Sequence, residues 1–440
     1  MKKVLILGAG MMTKTMADYF MDKCNFEVTI ASRTVSKAEK IIAGKPLGKA
    51  ISWTVDQPDV LENLVKENDL VASMIPQIAH DMIAKICLKY KKHMLQTDFL
   101  TPYIESIDEE ARRNDIIIMN EIGEDPGLDH MGAQETIDEI KAEGGKVVSL
   151  YSYGSGIPSF DSNRNPFGYK FSWSPKGLMM SAKKPAAYLL NGKRVDVPSI
   201  FHHHKIIDVE GIGTFESYPN RDCTGYVKYF GLEKNVTLFR GLLRYVGYCN
   251  TMRALVKLNI LKEEKEEKSF KGLTYAQMMA NLIHTDSIDN IKAKVGDFLG
   301  IVEDDDILER LDWLGLFENK SIPVEKGIYS DVLVELMINK LSYKPGEKDM
   351  IIVYDEVIAE FPDRKEKRTS SLMMEGIPNG ESAMTRAVSL PAAIAAKLIL
   401  EGKVTSRGVV MPMTPEIYKP VLEEMKTFGF EFSKKTILLS

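Results

Sequence analysis

The sequence predicts an α/β protein in which a doubly wound parallel sheet comes first and a mixed α/β region follows. Up to Asp125, short apolar runs alternate with amphipathic helical stretches, a pattern typical of a parallel sheet with helices on both faces. After Asp125, the runs alternate apolar and polar residues and are joined by long connections containing Gly and Pro, which is typical of a mixed sheet. At 440 residues the chain is too long for one compact core, so we expect two or three domains.

The first predicted strand ends in a glycine turn that leads into a helix. Gly8 allows a sharp turn, and Gly10 leaves no side chain between the helix N-terminus and a pyrophosphate, whose charge the free N–H groups favour. Thr13 stands where the motif usually has a third glycine, and its hydroxyl is a candidate phosphate ligand. The pattern predicts a Rossmann-type dinucleotide site, although an ordinary glycine turn has a similar sequence. The candidate cofactor residues are Gly8, Gly10, Met11, Met12 and Thr13.

The second predicted strand, Glu27 to Ala31, indicates which nicotinamide cofactor binds. Folds specific for NAD usually carry an acidic residue after this strand, which binds the ribose 2′-hydroxyl. This chain instead has Ser32, Arg33 and Thr34. A hydroxyl and a permanent cation suit a 2′-phosphate, so we expect NADP(H); the alternative is an ordinary surface arginine.

The remaining strands of the first sheet bring further polar residues to one edge. They are predicted at Ile51 to Val55, Leu70 to Ile75, His93 to Thr97 and Ile116 to Asn120. Ligands of such sheets bind beyond the carboxyl ends of the strands. The residues expected at this edge are Asp56, Ser73 to Gln77, Thr97 to Phe99 and Glu121 to Asp125, with Thr97 as a further candidate cofactor contact.

The second half of the chain predicts a mixed sheet with a helical insertion. Strands are predicted at Val147 to Tyr153, Ile206 to Val209, Val236 to Arg240 and Met350 to Glu356, and helices within Tyr275 to Leu316. The charge run from Leu261 to Lys271 is expected to be a solvated helix or loop. Ser382 to Leu400 is a strong helix, and Gly402 to Met413 is expected to return to the first domain.

Composition argues against several classes of function. A net charge of −5 gives no electrostatic reason to bind nucleic acid or an anionic membrane, and no apolar run approaches a membrane span. The four cysteines contain no CxxC pair, so neither a zinc site nor a disulfide framework is indicated, and we expect a cytoplasmic protein. His202 to His204 would point to alternate faces of an extended chain, so we expect no metal site there.

The densest polar chemistry lies in two blocks, Met119 to His130 and Asn165 to Gly177. The first brings acids and a histidine to the end of a strand, and the second contains aromatic, hydroxyl and ammonium groups, as a polar substrate pocket requires. Their NEIGEDPGLDH and GYKFSWS segments, with Tyr218 to Asp222, Arg240 to Tyr245 and the RTSSL segment at Arg368, resemble the saccharopine reductase family. These are NADP-dependent, glutamate-forming saccharopine dehydrogenases. The resemblance covers essentially the whole chain.

The resemblance implies interconversion of saccharopine with 2-aminoadipate 6-semialdehyde and glutamate in lysine metabolism, by a homodimer that uses NADP(H). It implies a Rossmann domain at 1–125 and 391–440, a mixed α/β substrate and dimerisation domain at 126–260 and 326–390, and a helical insertion at 261–325. The implied cofactor contacts are Gly10 to Thr13, Ser32 to Thr34, Val55, Asp56, Ile75, Pro76, Gln77, Glu121, Ile122 and Gly123. The implied substrate contacts are Asp98, Phe99, Asp125, Trp173, Arg221, Arg240 and Arg244.

The expected chemistry is a reductive amination, in which an amine condenses with an aldehyde and a hydride reduces the C=N bond. This reaction needs a group that moves protons, and Asp125 at a strand end is the first candidate. A structural role is the alternative for Asp125, as a cap for the segment that begins at Pro126 or as a partner of the substrate ammonium group. Lys170 is the second catalytic candidate.

One pair of residues departs from the family pattern. Asp98 and Phe99 stand where the family carries Ser and Tyr, so two hydroxyls are lost and an anion is gained. An anion repels the carboxylates of saccharopine but suits an amino group. This leaves two alternatives open: a related enzyme that acts on another amino-aldehyde or on a diamine, as carboxynorspermidine dehydrogenases do, and a sensor that binds NADP(H) without turnover.

Overall fold

The computed structural model describes residues 1–262 and 266–439, and most of its strands belong to two sheets. The first sheet has seven strands, all paired in parallel. In spatial order they are β18 (Gly408–Val410), β6 (Ile117–Met119), β5 (His93–Gln96), β4 (Leu70–Ser73), β1 (Lys3–Leu7), β2 (Glu27–Ser32) and β3 (Gly48–Ser52). This arrangement is the predicted doubly wound sheet.

Helices cover both faces of this sheet, so its central strands are fully buried. Val4 to Leu7 of β1 have no exposed surface, which explains their uninterrupted apolar sequence. The covering helices in the first part of the chain are α1 (Thr13–Asp18), α2 (Val35–Ile42), α3 (Pro58–Glu67), α4 (His80–Tyr90), α5 (Pro102–Ser106) and α6 (Asp108–Arg113). A π-helical turn at Tyr19–Lys23 extends α1.

The C-terminal part of the chain returns to the first sheet, as predicted. Helices α15 (Ala383–Leu400) and α16 (Pro415–Lys426) pack on each other, and α15 also contacts α1. Strand β18 pairs with β6. By length and composition alone α15 is apolar enough to cross a membrane, but 83% of that window is buried inside the protein, as in a core helix.

The second sheet has ten strands and is mixed, because β13 and β7 run parallel while its other pairings are antiparallel. Seven of its strands follow in the order β10 (Lys193–Val197), β9 (Ala186–Leu190), β13 (Thr237–Arg244), β7 (Lys146–Gly154), β16 (Asp349–Glu360), β17 (Lys365–Glu375) and β19 (Ser433–Leu439). Strand β8 (Gly156–Pro158) pairs with β16, and the hairpin of β11 (Lys205–Val209) and β12 (Gly213–Pro219) pairs with β13.

Helices complete the second region. They are α7 (Leu128–Ala142), α8 (Pro175–Ser181), α9 (Tyr226–Tyr229), α10 (Tyr248–Lys257), α11 (Tyr275–Leu282), α12 (Ile291–Leu299), α13 (Asp306–Leu314) and α14 (Tyr329–Leu341). Among them, α11, α12 and α13 lie within the stretch 261–325 that was predicted as a helical insertion. The short strands β14 (Lys268–Ser269) and β15 (Lys326–Gly327) pair with each other. Helices α10 to α14 share one apolar core with residues of α8 and the GYKFSWS segment.

The structure confirms the predicted fold class and changes three details. The third strand lies at Gly48–Ser52 rather than at Ile51 to Val55, so Val55 and Asp56 follow it at the sheet edge. The charge run at 261–271 lies partly outside the described residues, and β14 occupies part of the rest. Strand β19 pairs with β17 in the second sheet, although the predicted first domain extends to residue 440.

Candidate active site

The glycine turn after β1 is built to leave space for a ligand. Gly8 has a φ of +106°, and a Cβ there would lie 2.8 Å from the carbonyl oxygen of Met74, so only glycine suits this position. At Gly10, by contrast, a Cβ would meet no described atom within 4 Å. The Thr13 hydroxyl donates to the Gly8 carbonyl at 3.1 Å and accepts from the Gly10 N–H at 3.2 Å. Thr13 therefore stabilises the turn, and its hydroxyl hydrogen is engaged by the Gly8 carbonyl.

The segment after β2 fits the 2′-phosphate of NADP(H). The Ser32 hydroxyl accepts from the Thr34 N–H at 3.3 Å, which orders the segment. Arg33 is exposed, and within residues 1–262 and 266–439 its guanidinium has no ion-pair partner. An unpaired guanidinium at this position can bind a phosphate with charge-assisted hydrogen bonds. Gly10 and Arg33 thus give the two features that an NADP(H) site needs.

A cleft of about 430 Å³ opens beside the glycine turn and receives residues from both sheet regions. Twelve of the predicted residues line it: Gly10, Met11, Met12, Thr13, Ile75, Thr97, Asp98, Phe99, Asp125, Trp173, Arg221 and Arg244. The other predicted residues are outside its lining: Gly8, Ser32, Arg33, Thr34, Val55, Asp56, Pro76, Gln77, Glu121, Ile122, Gly123, Lys170 and Arg240. The structure therefore brings most of the predicted substrate contacts together with the glycine turn.

Asp125 lies in this cleft with its side chain only 3% exposed. Its Oδ1 atom accepts from Arg240 Nη2 at 2.7 Å and from Asn220 Nδ2 at 3.3 Å. A Cβ on Gly154 would approach Oδ2 to 2.5 Å, so the glycine leaves room beside that oxygen. Burial and the neighbouring charge of Asp129 raise the pKa of Asp125 to about 6, although Arg240 acts in the opposite direction. Asp125 can therefore gain and lose a proton near neutral pH.

Arg240, an implied substrate contact, lies outside the cleft lining. Its Nη2 atom donates to both Asp125 and Asp129, and its Nε atom donates to Asp129 at 3.2 Å. The residue is 1% exposed. Two carboxylates thus neutralise this cation, and it lies behind the cleft wall. Arg240 therefore supports Asp125, while its Nη1 atom has no hydrogen-bond partner in the described chain, and a contact with substrate stays a prediction.

Arg221 and Arg244 are the cationic groups that face the cleft without a carboxylate partner in the described parts of the chain. Arg244 is 2% exposed, its Nη1 donates to the Leu243 carbonyl at 2.7 Å, and its Nε has no partner. The Arg221 guanidinium lies 4.0 Å above the ring of Phe99. Because a guanidinium binds a carboxylate in bidentate fashion, both groups can receive an acidic substrate.

Glu121, Ile122 and Gly123, predicted as cofactor contacts, lie outside the cleft lining. The Glu121 carboxylate accepts from the Leu100 N–H at 2.9 Å, His130 Nε2 at 2.8 Å and the Tyr226 hydroxyl at 2.7 Å. Ile122 is completely buried in the apolar core. At Glu121 the backbone adopts a φ of +58°, which turns this segment inward. The Glu121 carboxylate therefore links the two sheet regions, and cofactor contact by this segment stays a prediction.

Lys170 does not reach the cleft either. Its ammonium group forms a buried ion pair with Glu347 at 2.5 Å and lies 5.7 Å from the Tyr343 ring centre. The ion pair occupies this ammonium group, and a catalytic role of Lys170 stays a prediction. Trp173 of the same sequence block does line the cleft.

Fourteen of the 26 residues that line the cleft are not among the predicted contacts, and two of these, His80 and Glu124, have titratable side chains. His80, at the start of α4, lies beyond the sheet-edge segment that sequence reasoning marked, and Glu124 was marked only for its position. Burial and the charges of Asp125 and Asp129 hold the pKa of Glu124 well above its usual range. Among residues 1–262 and 266–439, no three His, Cys, Asp or Glu side chains are placed to hold a metal ion.

Together, the fold and the cleft define a class of protein: a Rossmann-type dinucleotide-binding sheet joined to a mixed α/β region, with a polar cleft beside the glycine turn. Comparison with known proteins gives the family. The family model for the saccharopine dehydrogenase NADP binding domain matches residues 4–119, and the model for the saccharopine dehydrogenase C-terminal domain matches residues 123–430. The chain belongs to the saccharopine dehydrogenase family.

Individual relatives match over nearly the whole chain. The rat protein named alpha-aminoadipic semialdehyde synthase, mitochondrial, is 35% identical over 99% of this chain, but the match covers 48% of the rat protein. The chain thus spans about half the length of such relatives. Saccharopine dehydrogenase (NADP(+), L-glutamate-forming) of Pyricularia oryzae is 34% identical, and the match covers 99% of both chains.

Solved structures agree with this family. Apo saccharopine dehydrogenase (L-Glu forming) from Saccharomyces cerevisiae superposes with a TM-score of 0.89 at 31% identity, covering 99% of this chain and 100% of the yeast chain. A homospermidine synthase from Legionella pneumophila superposes with a TM-score of 0.61 at 12% identity, covering 99% and 91% of the two chains. At that identity the second likeness shows the fold alone.

Proposed function

We propose that this protein is an NADP(H)-dependent oxidoreductase that interconverts saccharopine with 2-aminoadipate 6-semialdehyde and glutamate. Membership of the family and the names of the full-length fungal relatives support this assignment. The observation that carries it is that the guanidinium groups of Arg221 and Arg244 have no carboxylate partner in the described chain. Both line the same cleft as the glycine turn and Asp125. A tricarboxylic substrate needs such receptors beside a hydride donor.

Different residues of the chain would bind the substrate, bind the cofactor and transfer the proton. Arg221 and Arg244 would bind and orient carboxylates, and the stacking of Arg221 on Phe99 fixes the plane of its guanidinium. Gly10 and Arg33 would hold the dinucleotide, which when bound supplies a hydride to a C=N bond. Asp125 Oδ1 is occupied by Arg240 and Asn220, whereas Oδ2 has no partner in the described chain. The mobile proton therefore belongs on Oδ2, beside Gly154.

The assay is consumption of NADPH by the purified protein with glutamate and 2-aminoadipate 6-semialdehyde. Removal of a buried guanidinium that binds a substrate carboxylate costs about 100-fold in kcat/KM, so Arg244→Met is expected to lose about that much. Arg253→Met, which removes an exposed arginine of α10, is the control. Unchanged kinetics in Arg244→Met would contradict the role of Arg244.

A diamine as the amine substrate is the second candidate, and Asp98 favours it. A carboxylate in the cleft suits a cationic amine better than a glutamate carboxylate. The same assay with a panel of amino acids and diamines compares the two candidates. NADPH binding without consumption of any substrate pair would instead support a non-catalytic sensor.

We also propose a cytoplasmic homodimer. All four cysteines are free thiols, which suits a reducing compartment. Strands β17 and β19 leave Met373 and Leu438 exposed by 45% and 69%, which supports association through the second sheet. The molar mass in solution, measured by light scattering, tests the dimer.

A further inference from the structure

The wall of the cleft formed by the first sheet carries three polar side chains to which the mechanism above gives no role. Ser73 ends β4, His80 begins α4, and Asp98 follows β5. Strands β4 and β5 are neighbours, with Ser73 paired to Gln96, so their carboxyl ends lie side by side. Ser73, His80 and Asp98 all line the cleft, and Ser73 and His80 are each 1% exposed.

His80 lines the cleft and has a ring nitrogen without a hydrogen-bond partner in the described chain. Its Nε2 lies 2.9 Å from the carbonyl oxygen of Ile75, and because a carbonyl only accepts, Nε2 carries the hydrogen. Burial lowers the pKa of His80, although Asp98, the Ile75 carbonyl and Asp81 act in the opposite direction, so the ring is neutral at pH 7. Nδ1 then holds a free electron pair, and it has no partner in the described chain.

The two neighbours of His80 add further acceptors. One oxygen of Asp98 accepts from the Phe99 N–H at 2.8 Å, and the other has no hydrogen-bond partner within residues 1–262 and 266–439. The Ser73 hydroxyl is buried and also without a partner. A carboxylate oxygen, an imidazole nitrogen and a hydroxyl together match the three N–H donors and the positive charge of an ammonium group.

The opposite wall has the complementary character, because Arg221 and Arg244 face the same cleft. We propose that Ser73, His80 and Asp98 form the receptor for the primary ammonium group of the amino-acid substrate, the amino group that the reaction leaves untouched. The receptor selects a 2-amino aldehyde over the same aldehyde without the amino group. This inference rests on the proposed function and explains why an acidic residue at position 98 is compatible with a substrate rich in carboxylates.

The test compares two aldehydes with glutamate and NADPH: 2-aminoadipate 6-semialdehyde and its des-amino analogue, adipate semialdehyde. Because a site built to bind a charged group discriminates strongly against an analogue that lacks it, the wild type is expected to prefer the amino aldehyde by about 100-fold or more in kcat/KM. Asp98→Asn keeps the acceptor for the Phe99 N–H but loses the charge. It is expected to lower kcat/KM for the amino aldehyde by about 10- to 100-fold and to leave the des-amino aldehyde nearly unchanged.

Two variants of His80 separate ligand binding from a structural role. In His80→Gln the amide nitrogen replaces Nε2 and keeps the bond to the Ile75 carbonyl, but no acceptor replaces Nδ1. In His80→Asn the amide oxygen replaces the acceptor Nδ1. We expect the preference for the amino aldehyde to fall in His80→Gln and to be partly restored in His80→Asn. The control is Asp59→Asn, which removes an exposed charge at the start of α3.

Three results would overturn the inference. The first is an equal loss on both aldehydes in Asp98→Asn, and the second is a wild type that does not distinguish the aldehydes. The third is weaker NADPH binding by calorimetry in Asp98→Asn and His80→Gln, which would assign these groups to the cofactor carboxamide. If the wild type consumed NADPH with neither aldehyde, the proposed function itself would fail and this receptor role with it.

Discussion

Asp125 keeps its proton to a higher pH than an exposed aspartate because burial and Asp129 disfavour its charge. Its pKa of about 6 predicts the pH dependence of the reaction. In the proposed role the protonated carboxyl donates in the reductive direction, so the rate is expected to fall as the pH rises above about 6. In the oxidative direction the carboxylate accepts, so the rate falls below that pH.

Asp125→Asn keeps an oxygen for Arg240 and Asn220 but cannot move a proton. We expect kcat to fall by about 10²- to 10⁴-fold and the limb of the pH–rate profile near pH 6 to disappear. NADPH affinity serves as the control for an intact fold. A pH–rate profile of unchanged shape would show that Asp125 does not transfer the proton and has a structural role.

At the scale of single residues, the sequence identified the cleft better than it identified the contacts within it. Asp125 and Glu121 belong to one polar block, but the φ of +58° at Glu121 turns its carboxylate toward His130 and Tyr226. Arg240 and Arg244 lie on the same strand, and only the packing of α7 brings Asp129 onto Arg240 and leaves Arg244 unpaired. Neither outcome depends on local sequence, so a single sequence could not predict it.

At the scale of elements, strand register creates a buried polar row that no sequence pattern indicates. Arg240 of β13, Ser152 of β7, Asp355 of β16 and Ser370 of β17 are direct partners across four neighbouring strands. Neither oxygen of Asp355 and neither serine hydroxyl has a hydrogen-bond partner in the described chain. The alternating pattern predicted β7, β13 and β16 but not β17, and strand pairing depends on tertiary packing.

Asp355 predicts a pH dependence of stability. Burial holds the pKa of Asp355 well above the 3.8 of an exposed aspartate. The charge of Asp129 also raises this pKa, by less than burial does. Below pH 3.8 the carboxyl is protonated in both folded and unfolded chains, and stability is fully present. As the pH rises, the unfolded chain releases this proton first, so the folded state loses stability by up to about 1.4 kcal/mol per pH unit.

Asp355→Asn removes this titration while keeping the shape of the side chain. We expect the free energy of unfolding of the variant to exceed that of the wild type by an amount that grows as the pH rises. Urea denaturation between pH 4 and pH 8 measures this difference. Ser370→Ala, which changes the same row without a titrating group, is the control. A difference between variant and wild type that stays constant with pH would show that Asp355 is ionised in the folded protein.

At the scale of the whole molecule, the active-site cleft depends on both sheets being formed. Its lining draws on residues from Gly10 to Val388, and α15 shares one core with β1 and β16. The sequence predicted this return of the chain from the strong helix at Ser382 to Leu400, since such a helix needs a sheet to cover. A ligand of the cleft therefore binds the folded chain and not the unfolded one.

This coupling predicts that NADPH stabilises the whole protein, and that Arg33 sets its advantage over NADH. A ligand at 100 times its Kd adds about 2.7 kcal/mol to the free energy of unfolding, which thermal denaturation detects as a higher Tm. In Arg33→Ala the rise in Tm with NADPH is expected to shrink to the rise with NADH, because the lost guanidinium meets only the 2′-phosphate. Lys37→Ala removes an exposed cation of α2 nearby and is expected to keep the difference. An equal decrease of the Tm rise with NADPH and with NADH would show that Arg33 contacts a group common to both coenzymes. Other residues of the turn would then determine the preference for NADP(H).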